Sequence, residues 1–140
     1  MRVLVDTSVL SLAFRRSRPE LLSAADRAIV NGLRKLSDDD DVVLIGAIRQ
    51  EALSGIKTEA QFKRIRTLLD GFQYVPTGLV DHDGAAGAFN QCRSRGIAAG
   101  PIDMLICASA QRHGLPIFTV DPDFRRYARV LPIRLYDPPP

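Results

Sequence analysis

Four acidic residues stand where an α/β protein gathers its chemistry. Asp6 directly follows the apolar run at residues 2–5, and Asp121 directly follows the run that ends at Val120. Glu51 comes just after the run at 42–45, and Asp103 sits behind Gly100-Pro101. Carboxylates gathered together repel one another, and hard oxygen donors of this type suit Mg2+ or Mn2+, whereas zinc asks for His or Cys. His82, His113, Cys92 and Cys107 have no metal-ligand spacing among themselves. A cation held by several carboxylates activates water and stabilises charge on a phosphoryl group, so the chemistry indicated is phosphodiester hydrolysis. No histidine is required as a base. Thr7, Ser8 and Thr119 lie beside the acids with hydroxyls suited to a metal-bound water or a phosphate oxygen, and Asp123 is a supporting acid two positions after Asp121.

Each residue also has a local explanation. Asp6-Thr7-Ser8 suits the cap of a helix starting near Val9, and Asp103 suits a helix N-terminus, where an acid contributes about 0.3–1 kcal/mol. Asp121-Pro122 matches an N-cap followed by proline at the first helical position. Glu51 can be a solvated helix acid, and the three hydroxyls can equally cap helices or satisfy strand ends. Local roles leave the common placement unexplained. In open parallel sheets the functional crevice lies outside the carboxyl ends of the strands, and all four acids map to that edge. No lysine falls in those segments to neutralise them.

The elements that must position these acids are legible as an alternation. Residues 2–5, 42–45, 72–75, 115–120 and 133–136 are short apolar or β-branched runs of strand length, separated by longer helical stretches. That order predicts a parallel sheet of about five strands with helices on its faces. A helix is expected over 19–36, carrying Leu21, Leu22, Ala25, Ala28, Ile29, Leu33 and Leu36 at near-helical spacing. A second is expected over 58–70, with Phe62, Ile65, Leu68 and Leu69 on one stripe, and a third over 102–113, stopped by Gly114-Leu115-Pro116. His113 should end that third helix. The run of aspartates at 38–41 reads as a solvated, self-repelling tip rather than a metal site, and the tail at 137–140 as a plain terminus.

At 140 residues, with 46% hydrophobic and 25% charged residues, the chain suits a single domain over residues 1–140 that needs no disulfide. Cys92 and Cys107 are expected as reduced core thiols. Neither a membrane span nor a secretory signal is apparent, so a cytoplasmic location is expected. The net charge is +3, made of 16 arginines and 3 lysines against 16 acids. Arginine forks match phosphate geometry, so a polyanionic partner is allowed; arginines spread over a solvated surface are the alternative.

The stretches VDTSVL at 5–10, IRQEALSG at 48–55 and GPID at 100–103 are similar to the successive acidic motifs of PIN domains. ASAQRHGLPIFTVDPD at 108–123, followed by Phe124, Tyr127 and LPIRL at 131–135, resembles bacterial VapC toxins in particular. The order and spacing match over nearly the whole chain. The resemblance implies a three-layer α/β/α PIN-like fold with a central parallel sheet. It also implies a Mg2+- or Mn2+-dependent endoribonuclease that acts as a toxin and is inhibited by a cognate VapB-type antitoxin covering the cleft. It carries the acidic roles onto Asp6, Glu51, Asp103 and Asp121, with Asp6 and Asp103 as direct metal ligands and Asp123 at a more variable position. A homodimer is common in the family, and apolar positions on the helices at 19–36 and 58–70 would suit one. The chain departs from the pattern in the small-residue segment Ala85-Ala86-Gly87-Ala88 and in its triproline tail.

Three rival readings make different demands. A phosphohydrolase with Asp6 as nucleophile expects a second Asp two residues on, where Ser8 stands. A phospho-receiver domain needs a lysine after its last core strand, and no lysine follows Lys63. A non-catalytic PIN-like domain that binds RNA or a partner would not require four intact acids.

Overall fold

The structure, a computed structural model, describes residues 1–14 and 19–140. Its centre is a parallel sheet in the order β3-β2-β1-β4, formed by β1 (Val3–Val5), β2 (Val42–Leu44), β3 (Gln73–Tyr74) and β4 (Ile117–Phe118). Leu4 lies between Val43 of β2 and Ile117 of β4, so β1 is an interior strand, and Val3, Leu4 and Val5 are fully buried. A strand buried on both faces reads as continuous apolar sequence, which is why VLV and VVL show no alternation.

The connections are helical throughout: α1 (Thr7–Phe14), α2 (Ala24–Asp38), α3 (Gly46–Leu53), α4 (Glu59–Asp70), α5 (Leu79–Ser94), α6 (Pro101–His113) and α7 (Asp123–Tyr127). Helix α1 packs on α2 and α3, α3 also meets α4, and α5 pairs with α6. This is the expected α/β fold, a parallel sheet flanked by helices. Its core joins the strands to Leu10, Ile48, Leu69, Ile106, Phe118 and Phe124. Both cysteines are buried and free, and burial raises their thiols above the ordinary cysteine range.

Two expected elements come out differently. The segment at 133–136 contributes a single parallel bridge, Ile117 to Leu135, in place of a fifth strand. It lies at the sheet edge between Pro132 and Pro138, residues that cannot donate to a ladder. The helix expected over 19–36 is a 3₁₀ turn, Pro19–Leu21, followed by α2. Ser23 interrupts it as a cap, its hydroxyl accepting the Asp26 N–H at 3.0 Å. The other two helices start and stop where caps predict: Thr58 accepts the Gln61 N–H, and Gly114 ends α6 at a φ of 63°.

The tail is not a plain terminus. Pro138 packs against Gly32 of α2 so closely that a Cβ there would come within 2.6 Å of the proline ring. The aspartates at 38–40 are exposed as expected, and Asp41 pairs with the N-terminal ammonium at 3.1 Å. His113 does end α6, yet its Nε2 is buried with no hydrogen-bond partner among the described residues.

Candidate active site

Asp6 is set by the last rung of β1. Its backbone N–H donates to the Phe118 carbonyl at 2.8 Å, and its own carbonyl accepts the first amides of α1 from Val9 and Leu10. The side chain does not cap that helix. It is 5% exposed, and its Oδ2 accepts the Ser8 hydroxyl at 2.7 Å and the Thr119 hydroxyl at 2.8 Å. These hydroxyls in turn accept backbone N–H groups, Ser8 from Val120 at 3.1 Å and Thr119 from Asp121 at 3.0 Å. The ends of β1 and β4 are thereby tied through one carboxylate. Thr7 performs a matching service one residue on, donating to Glu51 Oε1 of α3 at 2.8 Å. The three hydroxyls singled out in the sequence thus orient carboxylates, and they do so across α1, α3 and the segment after β4.

Asp103 stands in the first turn of α6, whose start is set by Gly100 and by Pro101 at the first helical positions. Tyr127 of α7, itself buried, donates its hydroxyl to Asp103 Oδ2 at 2.8 Å. Burial pushes the Asp103 carboxyl up to about 6; the tyrosine hydrogen bond opposes that rise, and the charges of Asp6, Asp121 and Glu51 add to it. The charges of the other three acids selected from the sequence are thus felt at Asp103. Burial and the bond to Asp103 also raise the Tyr127 phenol above its usual value.

Asp121 keeps its local role as well, since its Oδ1 accepts the Asp123 N–H at 2.9 Å and opens the short helix α7. That turn brings Asp123 alongside. Carboxylate oxygens of Asp103, Asp121 and Asp123 all lie within 4.8 Å of one another. Asp6 and Glu51 stand outside this tight trio, and Arg126 pairs with Asp123. Among the described residues the cluster contains only carboxylates, with no histidine or cysteine. Such a donor set fits a hard divalent cation and would serve zinc poorly.

Sequence reasoning missed two residues that shape the region. Tyr127 carried no local sign of its contact, because its partner is 24 positions away. Asp81, buried in α5, receives a two-pronged contact from Arg112 of α6 at 2.7 and 3.0 Å and the Gly78 N–H at 2.8 Å. The Arg112 guanidinium holds its carboxyl below the usual aspartate range against the opposing effect of burial. This pair braces the helix that carries Asp103.

The fold and the acidic cluster together define a parallel-sheet α/β protein with a candidate divalent-cation site at the carboxyl ends of its strands. The PIN domain family model matches residues 3–130, and the chain belongs to the PIN domain family. Among solved structures, the fold is similar to that of FitAcB from Neisseria gonorrhoeae, at 20% identity and a TM-score of 0.74 over 97% of both chains. It is similar as well to VapBC2 from Rickettsia felis bound to a promoter DNA fragment, at 14% identity and a TM-score of 0.75, covering 97% of this chain and 98% of that one. A toxin–antitoxin complex from Klebsiella pneumoniae matches at 20% identity and a TM-score of 0.68, covering 87% of this chain and 89% of that one. No curated protein matches the sequence. No helix among the described residues is long and apolar enough to cross a membrane.

Proposed function

We propose that this chain is a Mg2+- or Mn2+-dependent endoribonuclease serving as the toxin of a type II toxin–antitoxin pair. The observation that carries the reading is the convergence of Asp103, Asp121 and Asp123 within 4.8 Å, with Asp6 and Glu51 adding their charge at Asp103. Asp103, Asp121 and Asp6 would hold the cation, and Asp123 would complete the set. A bound Mg2+ or Mn2+ supplies an acidified water and stabilises the negative charge of the reacting phosphate. The chain's own residues prepare that site. Ser8 and Thr119 hold Asp6, Thr7 holds Glu51, and Tyr127 holds Asp103, so three of the acids are oriented before any ligand arrives. Glu51 would bind a second ion or orient the attacking water.

The partners we infer are an RNA substrate, a VapB-type antitoxin and a second copy of the chain, all in the cytoplasm. Support comes from membership of the PIN family and from the likeness in fold to proteins solved as toxin–antitoxin complexes. Phe62 and Leu68 on α4 and Leu79 and Val80 on α5 are exposed apolar residues open to such contacts.

The test is incubation of purified protein with total RNA and Mg2+ or Mn2+, followed by mapping of the ends. Cleavage should leave 5′-phosphates and 3′-hydroxyls, stop in EDTA, and be lost in Asp103→Asn. The divalent ion should also raise the melting temperature of the parent in proportion to the logarithm of its concentration above the Kd. Full cleavage in excess chelator would remove the metal mechanism. A metal-induced rise in melting temperature without any cleavage would favour the non-catalytic binding reading.

A further inference from the structure

Adjoining the acidic trio is a cavity of about 180 Å³ whose lining includes Thr119, Val120, Asp121, Arg125, Tyr136 and Asp137. Asp121 belongs both to this cavity and to the trio, so whatever fills the cavity lies beside the proposed reaction centre. Arg125 is the exposed cation of the lining. The adjacent Arg126 pairs with Asp123, and Arg134 donates to the Gly114 carbonyl. Arg125 itself makes no ion pair or side-chain hydrogen bond among the described residues, although two aspartates share its cavity. A guanidinium left unpaired at the edge of a cavity presents a planar fork of donors to an incoming anion or base edge.

Beside Thr119 and the two aspartates, the lining has an apolar part that includes Tyr136 and Val120. Tyr136 is half-buried, its ring set edge-on against Phe118 at 5.2 Å and 61°, and its backbone N–H bonded to the Ile117 carbonyl at 2.8 Å. Val120 is 43% exposed and offers apolar surface. Proteins recognise single-stranded RNA by laying unstacked bases against aromatic and apolar side chains while arginine meets phosphates or base edges. We propose that this cavity is a subsite for one RNA nucleotide flanking the scissile phosphate, with Tyr136 and Val120 against its base and Arg125 as its anion contact. The assignment rests on the nuclease reading of the neighbouring acids, and it makes Arg125 and Tyr136 determinants of where the chain cuts.

The experiment compares the parent with Arg125→Ala, Tyr136→Leu and Arg129→Ala; Arg129 is an exposed arginine that does not line the cavity. Each is checked for folding by circular dichroism. Binding of a short fluorescent oligoribonucleotide is measured in EDTA, and cleavage ends are mapped on total RNA with Mn2+. Arg125→Ala should weaken binding about tenfold, the loss expected for one charge-assisted contact. Arg125→Ala and Tyr136→Leu should both change the base frequencies beside the cut. Arg129→Ala should keep the parent's cleavage pattern and lose at most about twofold in affinity. If the parent cuts RNA and Arg125→Ala binds and cuts as Arg129→Ala does, the subsite is wrong while the nuclease reading stands. A parent that neither binds nor cuts RNA overturns both.

Discussion

The Asp103 carboxyl is pulled in two directions, by burial and neighbouring charge toward the neutral form and by the Tyr127 hydroxyl toward the ionised one. The neutralising side prevails, placing it at about 6 against an ordinary 3.8. A carboxyl whose folded-state value lies above its unfolded one contributes stability below the unfolded value and loses it as pH rises through the folded one. Asp81 works with the opposite sign, because its lowered value adds stability above the usual aspartate range and is lost on acidification. The difference between Asp103→Asn and the parent isolates the first effect. In chelator the two proteins should melt nearly together at pH 4, and the variant should melt higher by on the order of 5 °C at pH 7.5. A gap that stays constant across that range would mean Asp103 carries no such strain. Asp103 was identifiable as a site candidate in the sequence, since Gly100-Pro101 marks the start of a helix with an acid in its first turn. Its raised value was not, because that depends on burial in the packed fold and on the charges of Asp6, Asp121 and Glu51, which arrive from other segments.

At the scale of elements, the pairing of α5 with α6 decides where Asp103 stands. Gly84 allows the close crossing, as a Cβ there would lie 3.3 Å from the Ala108 Cβ, and the Asp81–Arg112 contact clamps the same two helices. Removing only the guanidinium leaves a buried carboxylate without its partner, a change usually costlier than the pair is worth. Arg112→Ala should therefore lower the melting temperature by more than about 5 °C. Arg112→Lys should recover only part of the loss, because an ammonium cannot match two oxygens at once. Calorimetry of the three proteins checks this, and a change of a degree or less for Arg112→Ala would place the pair among the weak surface bridges. The small residues at 85–88, directly after Gly84, stood out in the sequence as a departure from the family pattern. Their purpose became visible only when α6 was placed against them. Elements with local signals, such as the Thr58 cap, the Gly114 stop and the continuous apolar runs of β1 and β2, were readable outright. The segment at 133–136 was overread, because its apolar composition suits a strand while pairing depends on what lies beside it at the sheet edge.

For the molecule as a whole, the proposed toxin role makes a claim about a partner. Expressed alone, the chain should arrest growth; Asp103→Asn should not, and co-expression of a cognate VapB-type antitoxin should restore growth to the parent. Colony counts and culture density measure this. Unimpaired growth at verified levels of active protein would argue against the toxin role while leaving the nuclease reading intact. The scales differ in what determines them. The sequence alone determined the alternation of strand and helix, the parallel sheet that follows from it, and the gathering of Asp6, Glu51, Asp103 and Asp121 at one edge. Apolar runs, caps and stops act over a few residues, and the crossover rule then places strand ends together. The tertiary structure decided the finer arrangement: Asp123 joins Asp103 and Asp121 in the tight trio while Asp6 is held to one side by Ser8 and Thr119. The hydrogen bonds responsible join residues up to 113 positions apart, and contacts at that separation arise from packing, which leaves no periodic trace in the chain.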